Sequence, residues 1–112
     1  MSRRLRSSTR VFRSSTNVFL DLGVAQSEVK ETKVRLAAAV SGMLRERGLT
    51  QHEAARLLQI GQPKVSALVN YRLGGFSVER LIQFLNTLGC RVEIVVHPPR
   101  PRRTGKTIVT AA

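Results

Sequence analysis

The sequence lacks tryptophan and holds one tyrosine and one cysteine among its 112 residues. A single cysteine excludes an intrachain disulfide and a thiolate zinc cluster, which fits a reducing cytoplasm. The scarcity of aromatic rings predicts an aliphatic core. No apolar run approaches the roughly 20 residues that span a bilayer, and the first residues lack the apolar segment of a secretory signal. These absences predict no membrane partner. A length of 112 residues leaves room for one domain.

Acidic residues are also few, with 7 Asp and Glu against 19 Lys and Arg, for a net charge of +12. Most of the excess positive charge lies in the two terminal segments of the chain. Residues 1–16 hold five Arg and no acid, and residues 97–112 hold three Arg, one Lys and no acid. A chain this basic is attracted to polyanions, of which nucleic acid is the commonest. The alternative is that the basic ends only raise solubility.

Residues 50–70 have the pattern of two short helices separated by a tight break. Thr50 and Glu53 have the spacing of a capping box, which marks a helix start, and Pro63 suits the first position of a second helix, because it has no amide hydrogen to leave unpaired. Apolar residues recur at i, i+3 and i+4 in both segments: Ala54, Leu57, Leu58, Val65, Leu68 and Val69. Two helices that share a small core in this way form a helix-turn-helix, whose second helix is free to enter a DNA major groove.

On these residues the chain resembles the Xre-type helix-turn-helix regulators, and within them the small antitoxin-like (HigA-type) subgroup. The resemblance rests on segments 17–23, 47–58, 62–70, 75–89 and 92–96. It implies a mainly α fold, namely a four- to five-helix phage-repressor-like DNA-binding domain with a short C-terminal β-strand. The family usually has glycine where this chain has Gln59. A left-handed backbone at the turn therefore falls either on Gln59 or, two places later, on Gly61.

Charge and hydrophobic periodicity divide the chain into three predicted parts: a disordered basic arm (1–16), the helix-turn-helix domain (17–97) and a disordered Pro/Arg-rich basic tail (98–112). A helix from about Ser27 to Arg47 precedes the helix-turn-helix. A fourth helix follows it, capped by Ser77 and ended by Gly89. The apolar segment 17–23 is expected to dock on the core.

Residues 90–96 alternate between apolar and polar, which predicts a half-buried strand that ends before the two prolines at 98 and 99. Its partner is open: segment 18–22 of the same chain, or the same strand of a second chain. The second option gives a two-fold homodimer with Val92, Ile94 and Val96 at the interface. Such a dimer suits DNA, since it places two helices roughly 34 Å apart.

The candidate DNA-binding residues lie on or beside the outer faces of the two helices: Gln51, Arg56, Gln62, Pro63, Lys64, Ser66, Ala67, Asn70, Arg72 and Ser77. Glutamine pairs with adenine, lysine bonds guanine or phosphate, and an alanine methyl meets thymine. Gln51, at a helix start, suits a phosphate, as do Asn70 and Arg72 at the helix exit. The alternative is a solvated surface, or ordinary capping in the case of Ser77.

No catalytic constellation is recognisable. His52 and His97 lack partners at a known spacing, and Cys90 has no histidine near it in sequence, so we expect no enzyme, cofactor or metal. The predicted function is a sequence-specific transcriptional repressor that places residues 62–70 in the major groove of double-stranded DNA, in a bacterial cytoplasm. The resemblance also implies an antitoxin that neutralises a RelE- or HigB-like toxin protein. However, a basic chain is a poor electrostatic match for a basic toxin.

Overall fold

Helices dominate the part of the chain that the structure, a computed structural model, describes, namely residues 10–12 and 26–111. The elements in chain order are β1 (Arg10–Phe12), α1 (Gln26–Glu46), α2 (Gln51–Leu58), α3 (Gln62–Val69), α4 (Val78–Thr87) and β2 (Ile94–Val96). The mainly α fold with four helices is therefore confirmed. The apolar segment 17–23 lies outside the described residues.

The first helix, α1, is the support on which the other helices pack. Its buried stripe includes Leu36, Val40 and Leu44, whose spacing of four residues keeps them on one face. The helix stops at Gly48, where φ is +65° and the amide of Leu49 donates to the carbonyl of Leu44. A left-handed residue after the last turn is a common helix end, and glycine adopts it without steric cost. The predicted helix from 27 to 47 is thus correct to within one residue at each end.

The core between α1, α3 and α4 is aliphatic apart from two phenylalanine rings. Phe76 and Phe84 are buried and meet edge to face, with ring centroids 6.0 Å apart and planes at 76°. Leu68 and Leu81 are fully buried beside them. The aliphatic core was predicted, but Phe84 was not placed in it. Burial of Val65 and Leu68 fixes one side of α3 to the core and leaves its other side uncovered.

The turn between α2 and α3 takes its left-handed residue from Gln59. Its φ and ψ are 58° and 45°, whereas Gly61 has an ordinary φ of −72°. The amide of Gln59 donates to the carbonyl of Ala55, and the amide of Ile60 does the same at 3.0 Å. Of the two positions left open by the sequence, the strained conformation therefore lies on the non-glycine residue.

We expect Gln59→Gly to stabilise the protein by up to about 1 kcal/mol, because glycine removes the left-handed penalty but loses more backbone entropy on folding. Urea unfolding of both proteins gives the difference. Gly48→Ala is the matched control, because it adds a side chain to a residue with φ of +65° and open space around it. It should destabilise by a similar amount. A less stable Gln59→Gly protein would contradict this account of the turn.

The strand β2 pairs within its own chain, antiparallel to β1, with Ile94 opposite Phe12 and Val96 opposite Arg10. Within the segment 1–16, for which the sequence predicts disorder, Arg10–Phe12 thus forms a strand, and pairing with a distant strand satisfies its backbone groups. The predicted partner, segment 18–22, lies outside the described residues.

The strand is also shorter than the predicted 90–96. The amide of Cys90 donates to the carbonyl of Leu85, which makes Cys90 part of the end of α4. Arg91 and Glu93 form a surface salt bridge at 2.6 Å. The predicted alternation is still present, because Val92 is half-buried while Val95 is exposed.

The C-terminal segment contacts α1, although it contains no helix or strand. The amide of Thr107 donates to a Glu28 carboxylate oxygen at 3.3 Å, and Arg35 donates to the carbonyl of Val109 at the same distance. Val109 also packs against the core. Within the tail for which the sequence predicts disorder, residues 107–109 thus contact the folded domain, where apolar residues follow the Pro/Arg-rich stretch. The basic segment 98–106 is held at both ends, by β2 and by this contact.

Candidate nucleic-acid interface

The helix α2 begins at a closed capping box. Thr50 Oγ1 accepts from the Glu53 amide at 3.1 Å, and the Thr50 amide donates to Glu53 Oε1 at 2.8 Å. Both bonds were predicted from the spacing. Gln51 follows as the first residue of the helix and is exposed. Hydrogen bonding with Thr50 lowers the pKa of Glu53. The backbone of Thr50 has the larger effect and its side chain the smaller one.

This lowered pKa predicts how the capping box responds to acid. A carboxyl whose pKa is lower in the folded state contributes stability above its ordinary value of 4.5 and loses it as the pH falls through the folded pKa. We expect wild type to be more stable than Glu53→Gln near neutral pH and to lose that advantage in acid. Thermal unfolding between pH 7 and pH 3 measures it. Glu46→Gln, which lacks the threonine bonds, is the matched control. An advantage that persists at low pH would contradict the assignment.

The second helix of the pair, α3, presents an uncovered face at its start. Gln62, Pro63 and Lys64 are exposed, and Ser66 and Ala67 are half-buried. The N-cap is Gly61, which has no side chain to cap the helix, and the first turn contains no acid. The positive end of the helix dipole is therefore not neutralised locally, and a negatively charged ligand would be favoured there.

The lysine of this face already has partners. Lys64 Nζ donates to the carbonyl oxygen of Gly75 at 3.1 Å and lies 4.8 Å from the centroid of the Phe76 ring. The predicted position on the outer face is correct, but the ammonium points to the loop that precedes α4.

The exit of α3 continues into a loop that carries further predicted contacts. Asn70 caps the helix, and its Nδ2 donates to the carbonyl of Ser66 at 2.8 Å, while its second N–H has no acceptor among the described residues. Arg72 is exposed, and its amide donates to Ala67. Ser77 Oγ accepts from the Arg80 amide at 3.0 Å, so ordinary capping, one of its two predicted readings, is present. Arg56 is exposed in the last turn of α2.

Comparison with known proteins identifies the family. Residues 18–97 match the family described as a helix-turn-helix domain. A solved structure named as an XRE family transcriptional regulator is 48% identical, with a TM-score of 0.73 over 79% of this chain and 100% of that chain. The chain belongs to the XRE family. No curated protein matches it. The matched range of this XRE chain includes all four helices and β2, so the resemblance inferred from the sequence is confirmed at the level of the family.

Two arginines of this XRE domain have structural roles that were not predicted from the sequence. Arg80 stacks 4.9 Å from the centroid of Phe84 and donates to Gln83 at 3.1 Å. The spacing of four residues between Arg80 and Phe84 is a signal that could have revealed this pair. Arg47 donates to the carbonyl of Leu88 and so joins the ends of α1 and α4.

Two other kinds of site are not found where the structure describes the chain. Across 10–12 and 26–111, no three His, Cys, Asp or Glu side chains are grouped so that they could hold a metal ion. None of the described helices is both long and apolar enough to cross a membrane.

Proposed function

We propose that this XRE-family protein is a sequence-specific repressor that places α3 in the major groove of double-stranded DNA. The uncovered face of α3 carries the proposal. Val65 and Leu68 are buried and fix the helix to the core, while Gln62 is exposed at a helix start that has no neutralising acid. A polar, acid-free face on a rigid support is what base recognition requires.

The side chains of α3 fit distinct parts of a base pair. Gln62 offers a carbonyl and an amide to adenine, and the methyl of Ala67 fits a thymine methyl. The hydroxyl of Ser66 can donate to, or accept from, a base edge. Pro63 has no amide hydrogen and fixes the backbone of the first turn. Lys64 is left out of this set because its ammonium is engaged with Gly75.

The remaining predicted residues fit the DNA backbone. Gln51 combines its side-chain amide with the amide groups at the start of α2, an arrangement that favours phosphate. Arg56, Asn70 and Arg72 each retain exposed donors. Ser77 caps the start of α4, whose first backbone amide groups can donate to a phosphate. Contacts of this kind set the register of the protein on the duplex without reading sequence.

We test this function by selecting binding sites from random duplex DNA at a stated salt concentration. The expected result is one enriched sequence, bound 10³-fold or more tightly than unrelated duplex, on the order of a typical specific complex. Protection of guanine N7 in the major groove would support the placement of α3. Equal affinity for all duplexes would contradict it.

We further propose a two-fold dimer through the edge of β2 that faces away from β1. Among the described strands, β2 has β1 as its only neighbour, so its second edge has no strand partner. An edge of this kind can pair with its own copy. Ile94 and Val96 would flank the axis, whereas the third predicted residue, Val92, packs against its own core.

Sedimentation tests the dimer. We expect twice the chain mass of 12.4 kDa at micromolar concentration. Ile94→Lys places a charge in the half-buried face of β2 and should give a folded monomer that binds a two-half-site operator weakly, since one half-site supplies only part of the contacts. A wild-type monomer would contradict the dimer. Loss of helical circular dichroism in Ile94→Lys would show that the strand serves the fold of a single chain instead.

Neutralisation of a toxin protein remains the alternative that the HigA-type resemblance implies. No contact or patch of residues 26–111 favours it, and the net charge of +12 opposes association with a basic partner. We therefore propose regulation of transcription as the function.

A further inference from the structure

The start of α3 is joined to the loop before α4 by one side chain. Lys64 is the third residue of α3, and its Nζ reaches the carbonyl of Gly75 at 3.1 Å. The same atom lies over the ring of Phe76, 4.8 Å from its centroid. That ring is buried and packs against Phe84. Lys64 thus connects the start of α3 to a loop whose Phe76 is anchored in the core.

Electrostatics explain why the ammonium turns to the loop. A cation in the first turn of a helix lies near the positive end of the helix dipole, where it is disfavoured. No acid in this turn compensates for it, and neither salt bridge among the described residues includes Lys64. The carbonyl of Gly75 and the face of Phe76 supply negative potential instead.

The loop between α3 and α4 needs such a contact to hold one conformation. It contains Gly74 and Gly75 in succession, and glycine backbones have many accessible states. Its first residue after the Asn70 cap, Tyr71, has a left-handed φ of 58°. Backbone hydrogen bonds fix Arg72 to Ala67 and Phe76 to Leu73. The bond from Lys64 adds a link to the start of α3.

We propose that Lys64 is a positioning residue for DNA recognition rather than a base or phosphate contact. It fixes the loop that carries Arg72 and Ser77 relative to Gln62 at the start of α3. The groups that set the register on the DNA backbone are thereby preorganised with the group that reads bases. The inference rests on the proposed function, but the contact itself is testable without DNA.

Hydrogen exchange of the free protein tests the contact. Lys64→Met keeps an apolar stem and removes the ammonium, whereas Lys64→Arg keeps a cation that can bond Gly75 and stack on Phe76. We expect the Phe76 amide to exchange about three- to tenfold faster in Lys64→Met, from the typical strength of an exposed cation–π contact and a hydrogen bond. Lys64→Arg should restore slow exchange. Equal exchange in wild type and Lys64→Met would overturn the proposal.

Operator binding then separates positioning from direct contact. We expect Lys64→Met to bind about three- to tenfold more weakly, since the loop must be ordered on binding, with an unchanged slope of log affinity against log salt. Removal of a phosphate contact would instead reduce the slope by about 0.9. The effect of Arg72→Ala should shrink in the Lys64→Met background, because both changes act through one loop. A reduced slope, or fully additive effects, would overturn the positioning role.

The two measurements fail in different ways. If wild type binds no specific sequence, the proposed function and with it the positioning role are overturned, while hydrogen exchange still decides whether Lys64 holds the loop. If specific binding is present and Lys64→Met leaves it unchanged, only the positioning role is overturned.

Discussion

Gln62→Ala is expected to weaken binding to the selected operator about 5- to 150-fold, which corresponds to the 1–3 kcal/mol of discrimination from one bidentate base contact. Gln62 is exposed at the first position of α3, and its side chain makes no hydrogen bond to the described residues. Its replacement therefore removes no side-chain hydrogen bond within the described part of the chain. Competition binding with operator and unrelated duplex measures both affinities.

The controls for this variant separate base reading from folding and from general affinity. Affinity for unrelated duplex should stay the same, because phosphate contacts supply nonspecific binding. The melting temperature should also stay close to that of wild type, since the substitution is on the surface. Gln26→Ala, on the exposed start of α1, is the matched control and should bind normally. If Gln62→Ala retains the full preference for the operator, base reading lies elsewhere on the protein.

The sequence alone is enough to locate the helix-turn-helix because its signals are local. The capping pair Thr50 and Glu53 marks the start of α2 over a few residues, and the structure confirms both bonds. Pro63 marks the start of α3 as closely, but it is the second residue of the helix and not the predicted first, which is Gln62. The left-handed residue was narrowed to two positions. A choice between Gln59 and Gly61 required the backbone itself, because tertiary packing can hold a non-glycine residue in that conformation.

The features that could not be predicted depend on distant contacts. Arg10–Phe12 is a three-residue strand in a basic segment, and only its pairing with β2 identifies it. Val109 likewise belongs to a Pro/Arg-rich end whose composition suggests disorder, until α1 supplies a surface for it. Periodicity places Lys64 on the outer face of α3, but it does not specify in which direction a long, flexible side chain bends. The neighbour that decides this, Phe76, comes from the next loop.

Removal of residues 1–9 is expected to reduce the slope of log affinity against log salt by up to about 2.7, at about 0.9 for each phosphate that is no longer neutralised. This truncation removes the three arginines Arg3, Arg4 and Arg6 but keeps the strand Arg10–Phe12. Between 1 M and 0.1 M salt, this change of slope corresponds to about 500-fold in affinity. Titrations of operator and unrelated duplex across this range should show the same reduction, because backbone contacts do not depend on sequence.

Matched variants distinguish contact by the arm from a simple decrease in net charge. Replacement of Lys30, Lys33 and Arg91 by glutamine removes an equal number of positive charges, but from the folded part of the chain. We expect the slope of log affinity against log salt to stay close to that of wild type. Removal of residues 1–16 deletes β1 as well, so it should lower the melting temperature, whereas removal of 1–9 should not. If the truncation of 1–9 and the triple glutamine variant reduce the slope equally, net charge alone accounts for the effect and the arm makes no contact with DNA.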